Sequence, residues 1–456
     1  MTKKILKISI ISILVLIVFF ILINPKKITK KLPIKTRLSI ENAYFEYYDK
    51  LNDSIKIILR TTGLDPFEDI HKRYNRNVPK ADNLNNDYNV KFLPNTQYGK
   101  IEFLEKKINF DLNLEKNSYY GNYSLNGFFQ SFFIESYKDK VLIINNKIIL
   151  YADLKEVVDK NKTKVKYNIV STNLINLANS GRVLGTLIHK NKLYVSYFVR
   201  KGKCEYFRIV VSDLNLKNLE FKKFYSSNEC GPAFYAGRLQ FYNHNSEDGL
   251  LVSVGMEGYN KPTNIPQDKN SIIGKIIFIK FDTKEHIIFS IGHRNPQGLM
   301  IDGENILSTE HGPAGGDEIN KIIFGGNYGW PIASYGKAYD HVEKNEVSSK
   351  GYLKDHSKNG FIEPVYAFVP SIGISQIIKI PNSFSKLWQK NYLVSSLNDQ
   401  SLYRIKFNKN IDGVLSMEKI FVGSRIRDIK YFKNSNVIIM ALEDQGELGI
   451  LKSKIE

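Results

Sequence analysis

The chain has 456 residues with a hydrophobic share of 43 % and a charged share of 24 %, proportions that exclude a disordered or fibrous protein. Its net charge of +19 would suit a polyanionic partner, but the lysines are spread along the whole chain without a nucleic-acid motif. The surplus therefore reads as a solvated basic surface, with no nucleic acid as partner.

The N-terminus carries an address. Lys3, Lys4 and Lys7 precede an uncharged apolar run from Ile8 to Ile23, and Pro25 with Lys26, Lys27, Lys30 and Lys31 follows. The run is longer than a signal-peptide core, and no small-residue cleavage site follows it, so residues 1–25 read as an uncleaved transmembrane anchor. The expected placement is a single-pass inner-membrane protein with its bulk on the periplasmic, extracytoplasmic side. Residues 26–100 read as a helical and irregular extension. Its one helix, Ser39 to Thr62, has Ile40, Tyr44, Tyr47, Leu51, Ile55, Ile58 and Leu59 at helical spacing, and Asp65 to Tyr98 is a polar, proline-broken connection.

From residue 101 to 456 the texture changes to short strand signals, among them KVLIINN, KLYVSYFV, GKIIFIKF, SLYRIKF and NVIIMALE, separated by Gly, Asn, Asp and Ser turns. No helix-length periodic segment interrupts them, and so many strands without crossover helices favour an all-β propeller over a sandwich. Cys204 and Cys230 are too few for a metal cluster and form no CxxC; one disulfide and two buried thiols both remain open.

The densest chemistry lies between Gly292 and Pro331. GHRNPQG offers Arg294, Asn295 and Gln297, and LMIDGENIL reads as a strand broken by a turn at Asp302-Gly303. After it, STEHGPAGGDE reads as an irregular segment able to turn carbonyls and carboxylates toward a hard cation.

These motifs, in the order GHRNPQG, STEHGPAGGDEIN and GGNYGWP, resemble the soluble quinoprotein glucose/sorbosone dehydrogenase family, whose aldose sugar dehydrogenases carry pyrroloquinoline quinone (PQQ) on a six-bladed β-propeller. EPVYAFVPSIGIS (363–375), NYLVSSLNDQSLYRIKF (391–407) and GSRIRDI (423–429) are similar to further family segments, and the resemblance is best over 237–451. It implies a six-bladed propeller that transfers hydride from a sugar hydroxyl to a calcium-bound quinone. Arg294 and Asn295 fall on positions facing the quinone, with Gln297 beside them, and Arg425 and Arg427 fall on its carboxylate-binding pair. Tyr366 falls on a residue packed against the cofactor ring, and the carbonyls of Gly312 and Pro313 on the active-site calcium. Glu318, Tyr328 and Asp340 match the surroundings of a second, structural calcium.

Departures from the family pattern are informative. The position of its proton-accepting histidine is Phe234 in FYAGRL, and phenylalanine accepts no proton. Asn398 in SLND replaces a lysine that pairs with the cofactor, Met256 stands in place of an acid, and an expected glutamine near Ser180 is missing. Two readings follow: a membrane-tethered sugar dehydrogenase, or a catalytically degenerate propeller that binds a sugar, a glycan or a protein partner.

Overall fold

The computed structural model describes residues 101–107, 131–145, 148–162, 165–177, 182–231, 235–256, 264–337, 351–443 and 446–453. The anchor, the helix at 39–62 and the connection after it lie outside these residues. Among the described residues, no helix is long and apolar enough to cross a membrane.

Among the described residues, six four-stranded antiparallel sheets form the body of the molecule, beside a small additional sheet in which Ser171–Thr172 pairs parallel with Asn218–Leu219. Their innermost strands are Phe133–Tyr137, Val183–His189, Leu239–His244, Pro296–Asp302, Ile374–Lys379 and Ile426–Phe432. Each neighbours the next, and the last returns to the first, so the ring closes as a six-bladed propeller. The closing device was not legible as such in the sequence. Strand Ile101–Lys107 completes blade six by pairing antiparallel with Glu447–Ser453, Ile101 opposite Ser453 and Lys107 opposite Glu447. One sheet thus holds both ends of the described chain, and seven ladder pairs replace an open seam.

Blade stacking explains why several strands read as unbroken apolar runs. In Lys275–Lys280, Ile277 and Ile279 enter the core shared with blade two, while Ile276 and Phe278 enter the core shared with blade four. Both faces of a blade are covered, so alternation is between two cores instead of core and water. Similar clusters fill every gap around the ring; that between blades six and one joins Ile134, Val141 and Ile143 to Phe432, Val437 and Ile439. Each isoleucine buried this way contributes roughly 2–3 kcal/mol.

Cys204 and Cys230 are joined in a disulfide, with Cα atoms 5.0 Å apart, which decides the alternative the sequence left open. It fastens the loop after blade two to the strand Cys204–Asp213, beside paired backbone hydrogen bonds between Glu205 and Gly231.

Candidate active site

Every inner strand starts at the same end of the propeller, and the candidate residues gather at that mouth. On blade four, Arg294 and Asn295 immediately precede Pro296–Asp302. The Arg294 backbone N–H donates to Glu310 Oε1, and its Nη1 donates to the His311 carbonyl at 3.1 Å. Its guanidinium lies 5.4 Å from the Trp330 ring centroid, within cation–π range. The other oxygen of Glu310 meets His293 Nδ1 at 2.9 Å, and His293 Nε2 lies 2.8 Å from Ser290 Oγ. His293 is therefore a fully satisfied core histidine, stacked on Tyr328.

The turn 311–316 was expected to be irregular with two acids in it, but Asp317 and Glu318 open the strand Asp317–Ile322, with Glu318 laddered to Glu310. Asp317 is spent on backbone. One oxygen accepts Gly312 N–H at 3.0 Å, and the other accepts Ile372 and Ile374 N–H at 3.1 and 2.9 Å. That single carboxylate holds the Gly312-Pro313 turn against the entry to blade five. A Cβ on Gly312 would sit 2.2 Å from the Gly316 carbonyl oxygen, so the turn closes only with glycine there.

Blade six supplies the second half. Gln297 donates to Asn295 Oδ1 at 2.7 Å and to the Tyr235 carbonyl at 2.8 Å, and its Oε1 accepts Arg427 Nη1 at 3.0 Å. Arg427 also donates to both oxygens of Glu443, at 2.7 and 3.2 Å, and Arg425 Nε donates to Glu443 Oε1 at 3.1 Å. Ser131 caps the carboxylate at 3.1 Å. Burial raises the Glu443 carboxyl, but Arg427 and then Arg425 outweigh it and hold the group below its ordinary range. Asn295, Gln297, Arg425 and Arg427 thus form one network, in which two guanidiniums share one carboxylate.

The sequence and structure comparisons bear on this arrangement. The family model described as Glucose / Sorbosone dehydrogenase matches residues 153–451, more than half of the chain. The chain belongs to the glucose/sorbosone dehydrogenase family. Aldose sugar dehydrogenase YliI of Escherichia coli (strain K12) is 29% identical over 231 residues, 47% of this chain and 58% of that protein. Quinoprotein glucose dehydrogenase B of Acinetobacter calcoaceticus is 38% identical over 250 residues, 44% of this chain and 49% of that protein. The chain spans about half the length of the curated relatives it matches. A crystal structure of a glucose dehydrogenase superposes with a TM-score of 0.57 at 20% identity, over 71% of this chain and 96% of the other. The PQQ-bound aldose sugar dehydrogenase of Streptomyces coelicolor gives 0.52 at 16%, over 77% and 99%. Likeness at that identity establishes the fold alone.

Within this glucose/sorbosone dehydrogenase propeller, the remaining candidates lie outside that network, Glu318 and Tyr328 lining one small cavity with Arg294 and Gly312. Tyr366 is buried in the core between blades four and five, its ring edge-on to Phe368 with centroids 4.8 Å apart. Tyr328 donates its hydroxyl to the Lys321 carbonyl at 2.6 Å and accepts Ile323 N–H at 2.9 Å. Glu318 lines a cavity of about 10 Å³, room for one water-sized group, with Glu310, Arg294 and Gly312. Burial, then Glu310, raises its carboxyl well above the ordinary range. Asn398 is exposed on a blade-five turn packed against Gly373. Phe234, Asp340 and Ser180 lie outside the described residues.

Several neighbours were not singled out from the sequence. Glu443 lies sixteen residues past Arg427, and only the blade-six ladder brings them together. Arg238 is buried across the axis, donating to Asp428 at 2.8 Å, to the Gln297 carbonyl at 2.6 Å and to the Arg427 carbonyl at 2.9 Å. His356 is buried 3.8 Å from Glu318, and burial, then Lys354, lowers it to about 4, so it is neutral. The short motifs gave no signal for these partners, because the pairs are long-range.

Proposed function

We propose that the mouth binds PQQ and that the protein is a sugar dehydrogenase acting on an aldose or a similar hydroxylated compound. The observation that carries this is the convergence of Asn295, Gln297, Arg425 and Arg427 into one hydrogen-bonded network, with Arg294 adjoining it in sequence. Planar guanidiniums beside carboxamides suit a flat tricarboxylate, which needs bidentate cations and in-plane donors. The carbonyls of Gly312 and Pro313, in a turn fixed by Asp317, suit calcium, a hard cation that takes oxygen ligands. When bound, the quinone supplies a hydride acceptor and calcium a Lewis acid that polarises it.

The chain's own residues then bind and orient. Arg425 and Arg427, their forks fixed by Glu443, would hold the cofactor's carboxylates, and Arg294 and Asn295 would supply further donors beside them. The side chain at position 234 moves no proton, so proton removal from the sugar falls to solvent or to another group. That substitution favours a second reading, a propeller that binds a sugar, a glycan or a protein partner without turnover. Reconstitution of the purified protein with PQQ and calcium, followed by dye reduction over an aldose panel, separates the two. Quinone binding with turnover supports the dehydrogenase; quinone binding without turnover supports the second reading, and no quinone binding overturns the site. In the dehydrogenase reading Phe234→His raises turnover by about 10²-fold or more.

The same proposal includes a second calcium near Glu318, Tyr328 and Asp340, resting on the paired carboxylates Glu310 and Glu318 around one water-sized cavity. It also includes a membrane anchor at residues 1–25 with the propeller on the extracytoplasmic side. The disulfide supports that placement, since such bonds persist in oxidising compartments.

A further inference from the structure

The two ends of the propeller differ in more than the site. The end opposite the mouth is built from turns between inner and second strands and from the connections that follow the third strands. Ile323 and Phe324, 52% and 55% exposed, follow the third strand of blade four, Asp317–Ile322, there, and Leu387, 50% exposed, lies in the blade-five connection. These are large apolar side chains facing water.

The surface they occupy is continuous. Lys321 Nζ donates to the Asn410 carbonyl at 2.7 Å, joining blades four and five. Asn436 donates to the Ser383 carbonyl at 2.8 Å, joining five and six, and Asn434 donates to the Lys138 carbonyl at 2.8 Å, joining six and one. Along this arc Lys138, Lys386, Lys390, Lys409 and Lys433 are exposed. Its acids are mostly engaged: Asp302 with Lys379 and Tyr392, Asp139 with Lys140, and Asp412 with Asn408, leaving Glu304 in solvent. Blades two and three differ at the same end, where Asp213, Glu220, Glu247, Asp248, Asp282 and Glu285 balance the lysines. Positive charge and the exposed Leu387 therefore coincide on one half of the end opposite the mouth, and Ile323 and Phe324 lie at its blade-three edge, where the Phe324 ring packs against His244 and Phe289.

The chain enters at that place. Ile101 pairs with Ser453 at the opposite end of blade six from the mouth, so the hundred residues that carry the apolar run Ile8–Ile23 join the propeller beside the basic arc.

We propose that this arc, blades four to six with Lys138 of blade one, rests on an anionic lipid bilayer and turns the mouth away from it. Lysines beside the surface meet lipid headgroup charge, and Phe324, Ile323 and Leu387 reach the interfacial layer. The orientation rests on the anchor reading above, which brings the propeller to a membrane; the arc decides which end faces it. Lipid is favoured over a protein partner because the apolar groups are spaced out and rimmed by lysines instead of gathered into one pocket.

The test uses the full chain in nanodiscs, with a fluorescent probe on Leu387→Cys or, at the mouth, on Lys337→Cys. Brominated lipids should quench the probe at 387 several-fold more than the probe at 337. That difference should grow with phosphatidylglycerol over phosphatidylcholine and shrink in high salt. The charge reversal K386E/K390E/K433E should remove most of the quenching while the protein stays in the disc. Equal quenching at both positions, indifference to phosphatidylglycerol, or a probe at 387 already shielded in detergent by the chain's own residues would each overturn the proposal. If the chain does not enter discs, the anchor reading fails, and the same probes with anionic vesicles decide the arc by itself.

Discussion

Blades four and six hold their mouth residues in opposite ways. Blade four uses a buried carboxylate, Asp317, to bind three backbone N–H groups, so its Gly312-Pro313 turn is fixed by main chain. Blade six uses a buried carboxylate, Glu443, to hold two guanidiniums, so its geometry is fixed by charge. The first device binds only main chain; the second is tunable, because a ligand carboxylate can compete for the same arginine forks.

Removing Asp317 breaks the blade-four device. Asp317→Ala leaves two buried donors, Ile372 and Ile374 N–H, and the part-buried Gly312 N–H unpaired, the buried ones worth about 1–3 kcal/mol each, so urea unfolding should show a loss of about 3 kcal/mol or more. A loss below about 1 kcal/mol would mean that the turn does not depend on this carboxylate.

The matching change on blade six, Glu443→Gln, removes the carboxylate that both arginines share and should cost about 2–3 kcal/mol, short of a fully buried pair because Arg425 is partly exposed. It should also change the acid dependence. The Glu443 carboxyl is lower in the folded state, so its contribution is complete above the unfolded glutamate value and disappears as pH falls through the folded one. The wild type should therefore lose more stability than Glu443→Gln on acidification below about pH 4.5. Parallel acid profiles would mean that Glu443 does not carry the charge balance.

Glu318 gives the smallest and oppositely signed effect. Its carboxyl is raised, so its contribution is complete below the unfolded value and is lost as pH rises through the folded one. Glu318→Gln should raise the melting temperature slightly at neutral pH without calcium, by about 1 kcal/mol equivalent. Calcium should stabilise the wild type and not the variant. A calcium shift equal in both proteins would remove Glu318 from the cation site.

Much of this was legible beforehand for local reasons. Strands such as KIIFIKF announce themselves through β-branched and aromatic residues, and the turn at Asp302-Gly303 through residue chemistry; Gly303 has φ +60°. Arg294, Asn295, Arg425 and Arg427 were singled out because each sits in a contiguous motif. Glu443, Arg238 and His356 were not, since their partners lie in other strands or blades. Tyr366 was expected at the ring of a ligand, but its position on the short outer strand Tyr366–Phe368 buries it between blades.

The sequence by itself determined the strand content, the family motifs and the residue type, phenylalanine, at position 234, all properties of residue type and short-range order. The tertiary structure alone decided the six-blade closure through Ile101–Lys107, the pairing of Cys204 with Cys230 and the choice of Glu443 as counter-charge for the mouth. Each of these joins groups sixteen or more residues apart, where the geometry of the closed ring, and not local propensity, sets which groups meet.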